Sequence, residues 1–303
     1  MTLDELKAFV SIAESGSFTN ASTQLHRSQP AISRRIDLLE DELGAPLFER
    51  QGRTVILTAA GEALLPHAQT VLAAVRDGQR AVEKLNENSR EVLSIAVVGT
   101  IADSYLVEAL RAFQVEYKDA EVDLQTANSL EVSDFVRRSD AVIGLRYHDD
   151  PDPQLEITLL GAERRYVVVP SNHAVKSSQV RSLKPFADDR WLGFPTSGKA
   201  RASLNDALLE RFATDVGTPP KTTLVDSITA QKRRVEASFG IALMPKRNLR
   251  EELAGGKLRI VEVASLTAQI PVALIRRKGG VRSKSEIALA DHLCERIPGM
   301  LDS

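Results

Sequence analysis

Polar residues gather at predicted strand ends in the C-terminal two thirds of the sequence. They are Gly99-Thr100, Asn128-Ser129, Arg146, Thr196-Ser197-Gly198 and Asp226-Ser227. In open α/β sheets, ligands bind beyond the carboxyl ends of strands, where hydroxyls and helix amides are available. Hydroxyls, amides and one arginine predict a site for a small organic anion. Helix capping would equally explain Thr100, Ser197 and Asp226. If this part of the chain folds into two lobes, an ion pair between them would explain Arg146.

A nucleotide-hydrolysing enzyme is the alternative, because Gly193–Ala200 nearly matches the phosphate-binding pattern G-x-x-x-x-G-K-[ST]. Ala200 stands where that pattern needs a hydroxyl for magnesium. No strongly apolar strand ending in an Asp supplies a clear second metal ligand, and Asp226 ends the nearest one. The histidines show neither a nucleophile elbow nor metal-ligand spacing. We assign no catalytic residue, metal or cofactor, and interpret the segment as a wall of the small-molecule site.

Basic residues in the N-terminal sixty positions fall into two windows without acids. His26–Arg35 holds three arginines and Arg50–Thr58 two, whereas Ile36–Glu49 between them holds five acids and no base. The net charge of -2 argues against general binding to polyanions. Nucleic-acid contact would therefore be local, at two separate surfaces of one small domain.

Three short helices are predicted before the second window. Thr2 and Glu5 form a capping box, and Ser15-Gly16 ends the first helix. Ser17 caps the second helix and Ser28 the third, in which Pro30 is tolerated in the first turn.

The third helix places four apolar residues on one face: Ile32, Ile36, Leu39 and Leu43. Gln29, Ser33 and Arg34 are then exposed and suited to base edges or phosphates in a major groove. Leu47–Thr58 predicts two short strands about a Gln51-Gly52 turn, forming a wing with Arg50 and Arg53 near its tip.

These elements resemble the LysR-type regulators over Leu6–Gly61. The matching stretches are Phe9, Ser15-Gly16-Ser17-Phe18-Thr19, Ser28-Gln29-Pro30-Ala31-Ile32-Ser33, Leu39-Glu40, Leu43-Gly44, Leu47-Phe48-x-Arg50 and Leu57-Thr58-x-x-Gly61. Ser22 stands where this family frequently has a second alanine. The resemblance implies DNA contacts at Gln29, Pro30, Ser33 and Arg34, with Arg53 directed at the minor groove or backbone.

A weaker resemblance extends through Gly99–Leu106 and Ala237–Pro245, and so covers essentially the whole chain. It implies an effector domain similar to periplasmic solute-binding proteins, with two lobes flanking a cleft and two chain crossings. We place the crossings near Arg164 and near 270–275. It also implies a regulator that binds an operator in double-stranded DNA, responds to a small-molecule effector, and contacts RNA polymerase.

A long helix is predicted from Ala60 to Asn86. Its apolar seam steps by three and four through Leu65, Ala68, Leu72, Val75, Gln79, Val82 and Asn86. Pro66 would kink the helix or fix its start, and Gly78 would weaken its middle. The seam fits a partner helix and so a homodimer or homotetramer, with packing on its own domain as the alternative.

Strands and helices alternate after residue 90, which predicts an α/β fold. The strands are 92–98, 122–126, 141–145, 166–169, 191–194, 223–225 and 241–244, and the helices follow 105–117, 130–137, 201–212 and 229–238. The predicted domains are a winged helix-turn-helix at 1–58, a linker helix at 59–89 and an effector domain at 90–303. Lobe 1 takes about 90–163 and 270–303, and lobe 2 about 164–269.

The bulk sequence favours a cytoplasmic protein. The N-terminus lacks a signal-peptide pattern, and no apolar run approaches the roughly 18 residues that span a membrane. The single cysteine, Cys294, excludes an internal disulfide and lies on a predicted late helix with Leu289 and Leu293.

Overall fold

The computed structural model describes residues 1–51, 54–83, 91–148, 151–195 and 204–301. The chain forms two compact units. Nearly all of the first lies in Met1–Ser89, and the second comprises Arg90–Val136, Ala141–Lys278 and Arg282–Ser303. Among the described residues, no helix is long and apolar enough to cross a membrane.

The first unit is a winged helix-turn-helix. It consists of α1 (Leu3–Ser15), α2 (Phe18–Gln24), α3 (Gln29–Leu43), the strands β1 (Phe48–Gln51) and β2 (Thr54–Leu57), and α4 (Ala59–Glu83). The predicted capping box at Thr2 and Glu5 is confirmed, and Gly16 ends α1 with φ 62°. Such a positive φ costs glycine little, which explains its place in the motif.

The wing differs by one residue from its prediction. Gln51, which was expected in the turn, belongs to β1 and pairs with Thr54 of β2, and residues 52–53 lie outside the described part. Glu40 joins the wing to α3 by accepting hydrogen bonds from the amides of Leu47 (2.6 Å) and Phe48 (3.3 Å).

The predicted seam of α4 is wrong in its first half. Ala68 and Leu72 are buried, and Leu65 packs with them against the apolar core of the winged helix. Two apolar side chains of α4 remain exposed: Val71, which lies outside the predicted seam, at 41% exposure, and Val82, in the second half of that seam, at 65%.

Lobe 1 of the second unit is built on a sheet in the order β4-β3-β5-β12-β6. Its elements are β3 (Glu91–Val98), α5 (Gly99–Ala102), α6 (Leu106–Glu116), β4 (Ala120–Ala127), α7 (Ser129–Arg137), β5 (Ile143–Tyr147), β6 (Leu155–Pro170), and, from later in the chain, β12 (Gln269–Arg277), α11 (Lys284–Arg296) and α12 (Pro298–Leu301). β3 runs parallel to β4 and β5, and β12 runs antiparallel to β5 and β6.

Lobe 2 continues the same sheet in the order β6-β10-β8-β9, with β11 also paired to β6. Its elements are β7 (Gln179–Val180), a 3-10 helix (Lys184–Phe186), β8 (Arg190–Gly193), α8 (Leu204–Asp215), β9 (Lys221–Leu224), α9 (Ile228–Glu236), β10 (Ile241–Pro245), a second 3-10 helix (Lys246–Leu249), α10 (Arg250–Ala254) and β11 (Leu258–Val263). The predicted α/β class is therefore correct, although β7, β11 and β12 were not predicted as strands.

β6 belongs to both lobes. Arg164 pairs with Gln269 of β12 in lobe 1, whereas the next residue, Arg165, pairs with Pro245 of β10 in lobe 2. The chain returns at 268–269, where the Arg165 amide donates to the Ala268 carbonyl (2.8 Å). Residues 270–275, where the second crossing was expected, lie inside β12 and hence in lobe 1.

A buried carboxylate fastens the outer layer of lobe 2. Burial opposes the charge of Asp215, but hydrogen bonds from Arg211, from the Leu183 amide and from the Ser265 hydroxyl prevail and lower its pKa to about 2. The ionised side chain thus joins α8 to two separate loops.

Candidate DNA-binding surface and effector cleft

The outer face of α3 carries the residues predicted to contact DNA. Ile32, Ile36 and Leu39 are buried against the winged-helix core. Gln29, Pro30 and Arg34 are therefore exposed and Ser33 half-buried on the opposite side. The structure brings these four predicted residues to one surface, because a helix with one buried stripe must expose the other.

The start of α3 differs from its prediction. Ser28 is the N-cap residue, but its side chain makes no capping hydrogen bond, unlike Ser17, which accepts from the Asn20 amide (3.4 Å) at the start of α2. A serine hydroxyl at an exposed helix start that is not used for capping is available to an anion, as are first-turn amides.

The arginines of this surface are not equivalent. The guanidinium of Arg35 lies 2.9 Å from the Asp4 carboxylate of α1. Within the described part of the chain, Arg27 and Arg34 have no ion pair, and both are exposed. Arg50 lies in β1 opposite Val55, but its side chain, like the whole of Arg53, falls outside the described residues. Arg34 is therefore the better candidate for a phosphate or a base.

A cleft of about 830 Å³ lies in the second unit between the lobes. Lobe 1 contributes Thr100, Asn128, Ser129, Tyr147 and His148, and lobe 2 contributes Arg165, Trp191, Leu192, Asp226 and Gln231. Of the predicted site residues, Thr100, Asn128, Ser129 and Asp226 therefore reach one cleft. Thr196 and Ser197, and with them most of the phosphate-loop-like segment, lie outside the described residues.

Two predicted polar groups at the cleft serve local structure. The Asn128 side chain accepts from the amides of Leu130 and Glu131, both at 3.0 Å, and so caps α7. Ser227 caps α9 by accepting from the Ala230 amide (3.3 Å). Helix capping, the alternative left open for such residues, therefore holds for Asn128. The amides of Leu130 and Glu131 are used by this cap.

The arginine of the cleft is Arg165 rather than Arg146. Arg146 lies in β5 directly before Tyr147, which lines the cleft, and successive side chains of a strand point to opposite faces. Arg165 is the first residue of the part of β6 that pairs with lobe 2. It lines the cleft and is only 6% exposed. Sequence reasoning missed it because it looked at strand ends, whereas Arg165 lies in the middle of a strand shared by both lobes.

A hydrogen-bond chain lies beneath the cleft. The hydroxyls of Thr100 and Tyr147 are 2.7 Å apart, and the Tyr147 hydroxyl lies 2.7 Å from Glu163 Oε2. Arg165 approaches that carboxylate at 3.8 Å, and its guanidinium lies over the Tyr147 ring, 4.5 Å from the centroid. All four residues are buried, so each charge or hydroxyl depends on the others for solvation.

Burial dominates the ionisation of this chain. It raises the pKa of Glu163 above its ordinary value, although the Arg165 charge and the Tyr147 hydrogen bond act in the opposite direction. Burial likewise raises the pKa values of Tyr147 and Tyr105, so both phenols are neutral. Glu163 is therefore the group of this hydrogen-bond chain that changes protonation most readily.

Two buried N–H groups in the cleft lining lack acceptors. Among the described residues, neither Arg165 Nε nor Trp191 Nε1 has a hydrogen-bond partner. Trp191 is held edge-on between Phe186 and Phe212, each with ring centroids 6.2 Å away. Buried donors normally have partners, so each of these groups lacks an acceptor among the described residues.

A second polar network joins the lobes beside the cleft. The Asn248 amide nitrogen donates to the Thr100 carbonyl (2.9 Å), and Lys232 lies 3.2 Å from Asp103 and 3.4 Å from Glu252. Asp103 and Thr100 belong to lobe 1, while the other three residues belong to lobe 2. The network therefore resists separation of the lobes at this point.

Comparisons with known proteins agree with both parts of this architecture. Residues 3–62 match the family described as "Bacterial regulatory helix-turn-helix protein, lysR family". Residues 86–297 match the "LysR substrate binding domain". The chain therefore belongs to the LysR family: it is a DNA-binding transcriptional regulator with an effector-binding domain.

Relatives and solved structures match over nearly the whole length. The chain is 29% identical to the HTH-type transcriptional regulator CbbR of Rhodospirillum rubrum, covering 91% of this chain and 90% of that one. It is 30% identical to TfdS of Cupriavidus pinatubonensis (strain JMP 134 / LMG 1197), covering 90% and 92%. A crystal structure of full-length CbnR with its target DNA is similar, with TM-score 0.58, 25% identity and coverage of 97% and 99%.

Proposed function

We propose that the regulator binds an operator through the outer face of α3 and the wing, and responds to a small organic anion bound between the two lobes. The observation that carries the anion assignment is the buried cation Arg165 in the cleft lining; within the described residues its Nε and Trp191 Nε1 also have no hydrogen-bond partner. A carboxylate supplies several acceptor sites and a charge opposite to that of Arg165.

Operator recognition is assigned to Gln29, Pro30, Ser33 and Arg34, with Arg50 and Arg53 of the wing as added contacts. Gln can bond adenine through two atoms, and Arg can bond guanine or a phosphate. In support, the solved relative CbnR is complexed with its target DNA.

We assign α4 to homodimer or homotetramer formation through its exposed face. Exposed residues recur on that face at spacings of three and four, and all but His67 are small or apolar: Ala63, His67, Val71, Ala74, Gly78 and Val82. Such spacing suits a partner helix. Two linked winged-helix domains match an interrupted palindrome in the operator better than one domain does.

The remaining assignments follow from this function. Residues 59–89 form the linker between a DNA-binding domain at 1–58 and an effector domain at 90–303. The chain acts in the cytoplasm, where the operator is, and contacts RNA polymerase. It works as a regulator and not as an enzyme.

The test compares two neighbouring arginines of α3. The operator is first obtained by selecting bound fragments from a genomic library, and its affinity is then titrated against salt. Arg34→Ala should weaken binding by about 1–3 kcal/mol, or reduce the salt slope by about one if the contact is a phosphate. Arg35→Ala is the matched control, because its guanidinium is already paired with Asp4.

A larger loss from Arg35→Ala than from Arg34→Ala would refute the assignment of this face. A selection that enriches no sequence at all would refute operator recognition. The effector assignment is tested separately, because Arg165→Met should abolish the response to the anion while leaving operator affinity intact.

A further inference from the structure

The donor that Thr100 offers to the cleft depends on Glu163. An ionised carboxylate only accepts hydrogen bonds, so Tyr147 must donate its proton to Glu163. The Tyr147 oxygen then accepts from Thr100, and the Thr100 hydrogen points away from the cleft. In this state Thr100, which lines the cleft, presents only lone pairs to a ligand. Such a surface repels an anion.

Protonation of Glu163 reverses the direction of the whole chain. The carboxylic acid donates to the Tyr147 oxygen, Tyr147 donates to Thr100, and the Thr100 hydroxyl is released to donate into the cleft. The two distances of 2.7 Å suit either direction, since each hydroxyl both donates and accepts. The heavy atoms stay in place while the site changes from acceptor to donor.

The charges of the site favour the same change. Arg165 is the cation of the cleft lining and already faces Glu163 at 3.8 Å. A bound anion would make a second negative charge compete for one buried guanidinium, which is costly away from water. A proton on Glu163 removes that competition.

We propose that the cleft binds its anionic effector together with one proton, which Glu163 takes up from solvent by reversing the Glu163–Tyr147–Thr100 hydrogen-bond chain. The inference rests on the proposed anionic effector. No covalent bond to the ligand forms, and the proton ends on a Glu163 oxygen. Burial supports it, because the raised pKa of Glu163 lowers the cost of protonation near neutral pH.

Other ionisable groups near Glu163 are accounted for. Tyr147 faces it from β5 and Arg165 from β6, while Tyr105, before α6, senses the same charges together with Arg247 of the second 3-10 helix. Both phenols stay neutral. Lys232 is engaged by Asp103 and Glu252. His148 also lines the cleft and is the alternative proton acceptor.

The experiment measures proton uptake on binding. Acetate and benzoate, whose carboxylates stay ionised over the range used, are titrated calorimetrically into the full-length chain, in buffers of different ionisation enthalpy, between about pH 6 and pH 8. The bound probe should take up close to one proton, and its Kd should tighten by up to about tenfold per unit fall in pH. Glu163→Gln should abolish the uptake and hold the affinity at a pH-independent, tight value, because the amide N–H donates permanently to Tyr147.

His148→Asn is the matched control. His148 has φ 70°, a conformation that asparagine tolerates, and this variant should keep the proton uptake. Binding by the wild-type chain without proton uptake would overturn the inference and leave the anionic effector standing. Uptake that persists in Glu163→Gln but disappears in His148→Asn would also overturn it. If no probe binds, the anionic effector and the inference fall together.

Discussion

Gly61 is the position where one added methyl group should damage the DNA-binding unit most. It lies in the first turn of α4, where its amide is capped by the Thr58 hydroxyl (3.1 Å). A Cβ built there would meet the Leu47 carbonyl oxygen at 2.2 Å and Leu57 Cδ2 at 2.8 Å. Both neighbours belong to the wing and its approach, so Gly61→Ala must push α4 away from the wing.

The expected sign comes from two opposing effects. Replacing glycine by alanine inside a helix normally stabilises by up to about 1 kcal/mol. Overpacking against backbone costs about 1–3 kcal/mol, so Gly61→Ala should destabilise the unit by roughly 1–2 kcal/mol net. Gly78→Ala, in the same helix, is the comparison, since no described residue of the same chain lies within 4 Å of its added Cβ, although Gly78 lies on the face assigned above to a partner helix. That variant should gain up to about 1 kcal/mol.

Hydrogen exchange of amides in α1–α4 measures this, because unfolding of a two-unit chain does not yield one free energy. A loss of about 1.4 kcal/mol appears as a tenfold loss of protection in the most protected amides. Equal protection in Gly61→Ala and wild type would refute the close approach.

Three further predictions concern the effector domain. Asp215→Asn should destabilise lobe 2 above about pH 4, and its stability should converge with that of wild type as the pH falls toward 2. The reason is that a carboxylate with a folded pKa of about 2 loses its contribution to stability there. Urea melts followed by Trp191 fluorescence at each pH measure this. The stability of the wild-type chain should decrease as the pH rises from about 4, and Glu163→Gln should remove that decrease. The pKa of Glu163 is raised in the folded state, so its contribution to stability is present below the unfolded pKa and is lost as the pH rises through the folded pKa. The same urea melts compare stability against pH for the two proteins, and parallel curves would contradict the prediction. Trp191, the single tryptophan, should change its fluorescence on anion binding because it lines the cleft, and Trp191→Phe should abolish the signal and weaken the affinity measured by calorimetry.

Local signals in the sequence predicted the winged helix well. Thr2, Gly16 and Ser17 act on amides or dihedral angles within a few residues, so their effect is visible without knowing the fold. The seam of α4 was misassigned in its first half because Leu65 and Leu72 suit a partner helix and the winged-helix core equally well. Only the tertiary structure shows which apolar surface is nearer.

The cleft was harder to predict for the same physical reason. Thr100 follows a strand and was found from that position, but Tyr147, Glu163 and Arg165 become a chain only when β5 and β6 are placed in one sheet. Arg146 and Tyr147 are neighbours in sequence, and the alternation of a strand directs them to different sides. A one-residue difference in the strand thus decides which side chain the ligand meets.

The crossing strand is where the proposed ligand binding would act on the position of the lobes. Glu163 pairs with Ile270 of lobe 1, and Arg165 begins the part of β6 that pairs with lobe 2, so the contact between them spans the crossing at Arg164. An anion that draws Arg165 toward itself, while Glu163 becomes neutral, weakens a contact between the two lobes. A ligand shifts an equilibrium only through interactions that differ between its states, and this contact is such an interaction. The proposal also has a direction: binding of the anion would replace the Glu163–Arg165 ion pair at the crossing by a contact between Arg165 and the ligand.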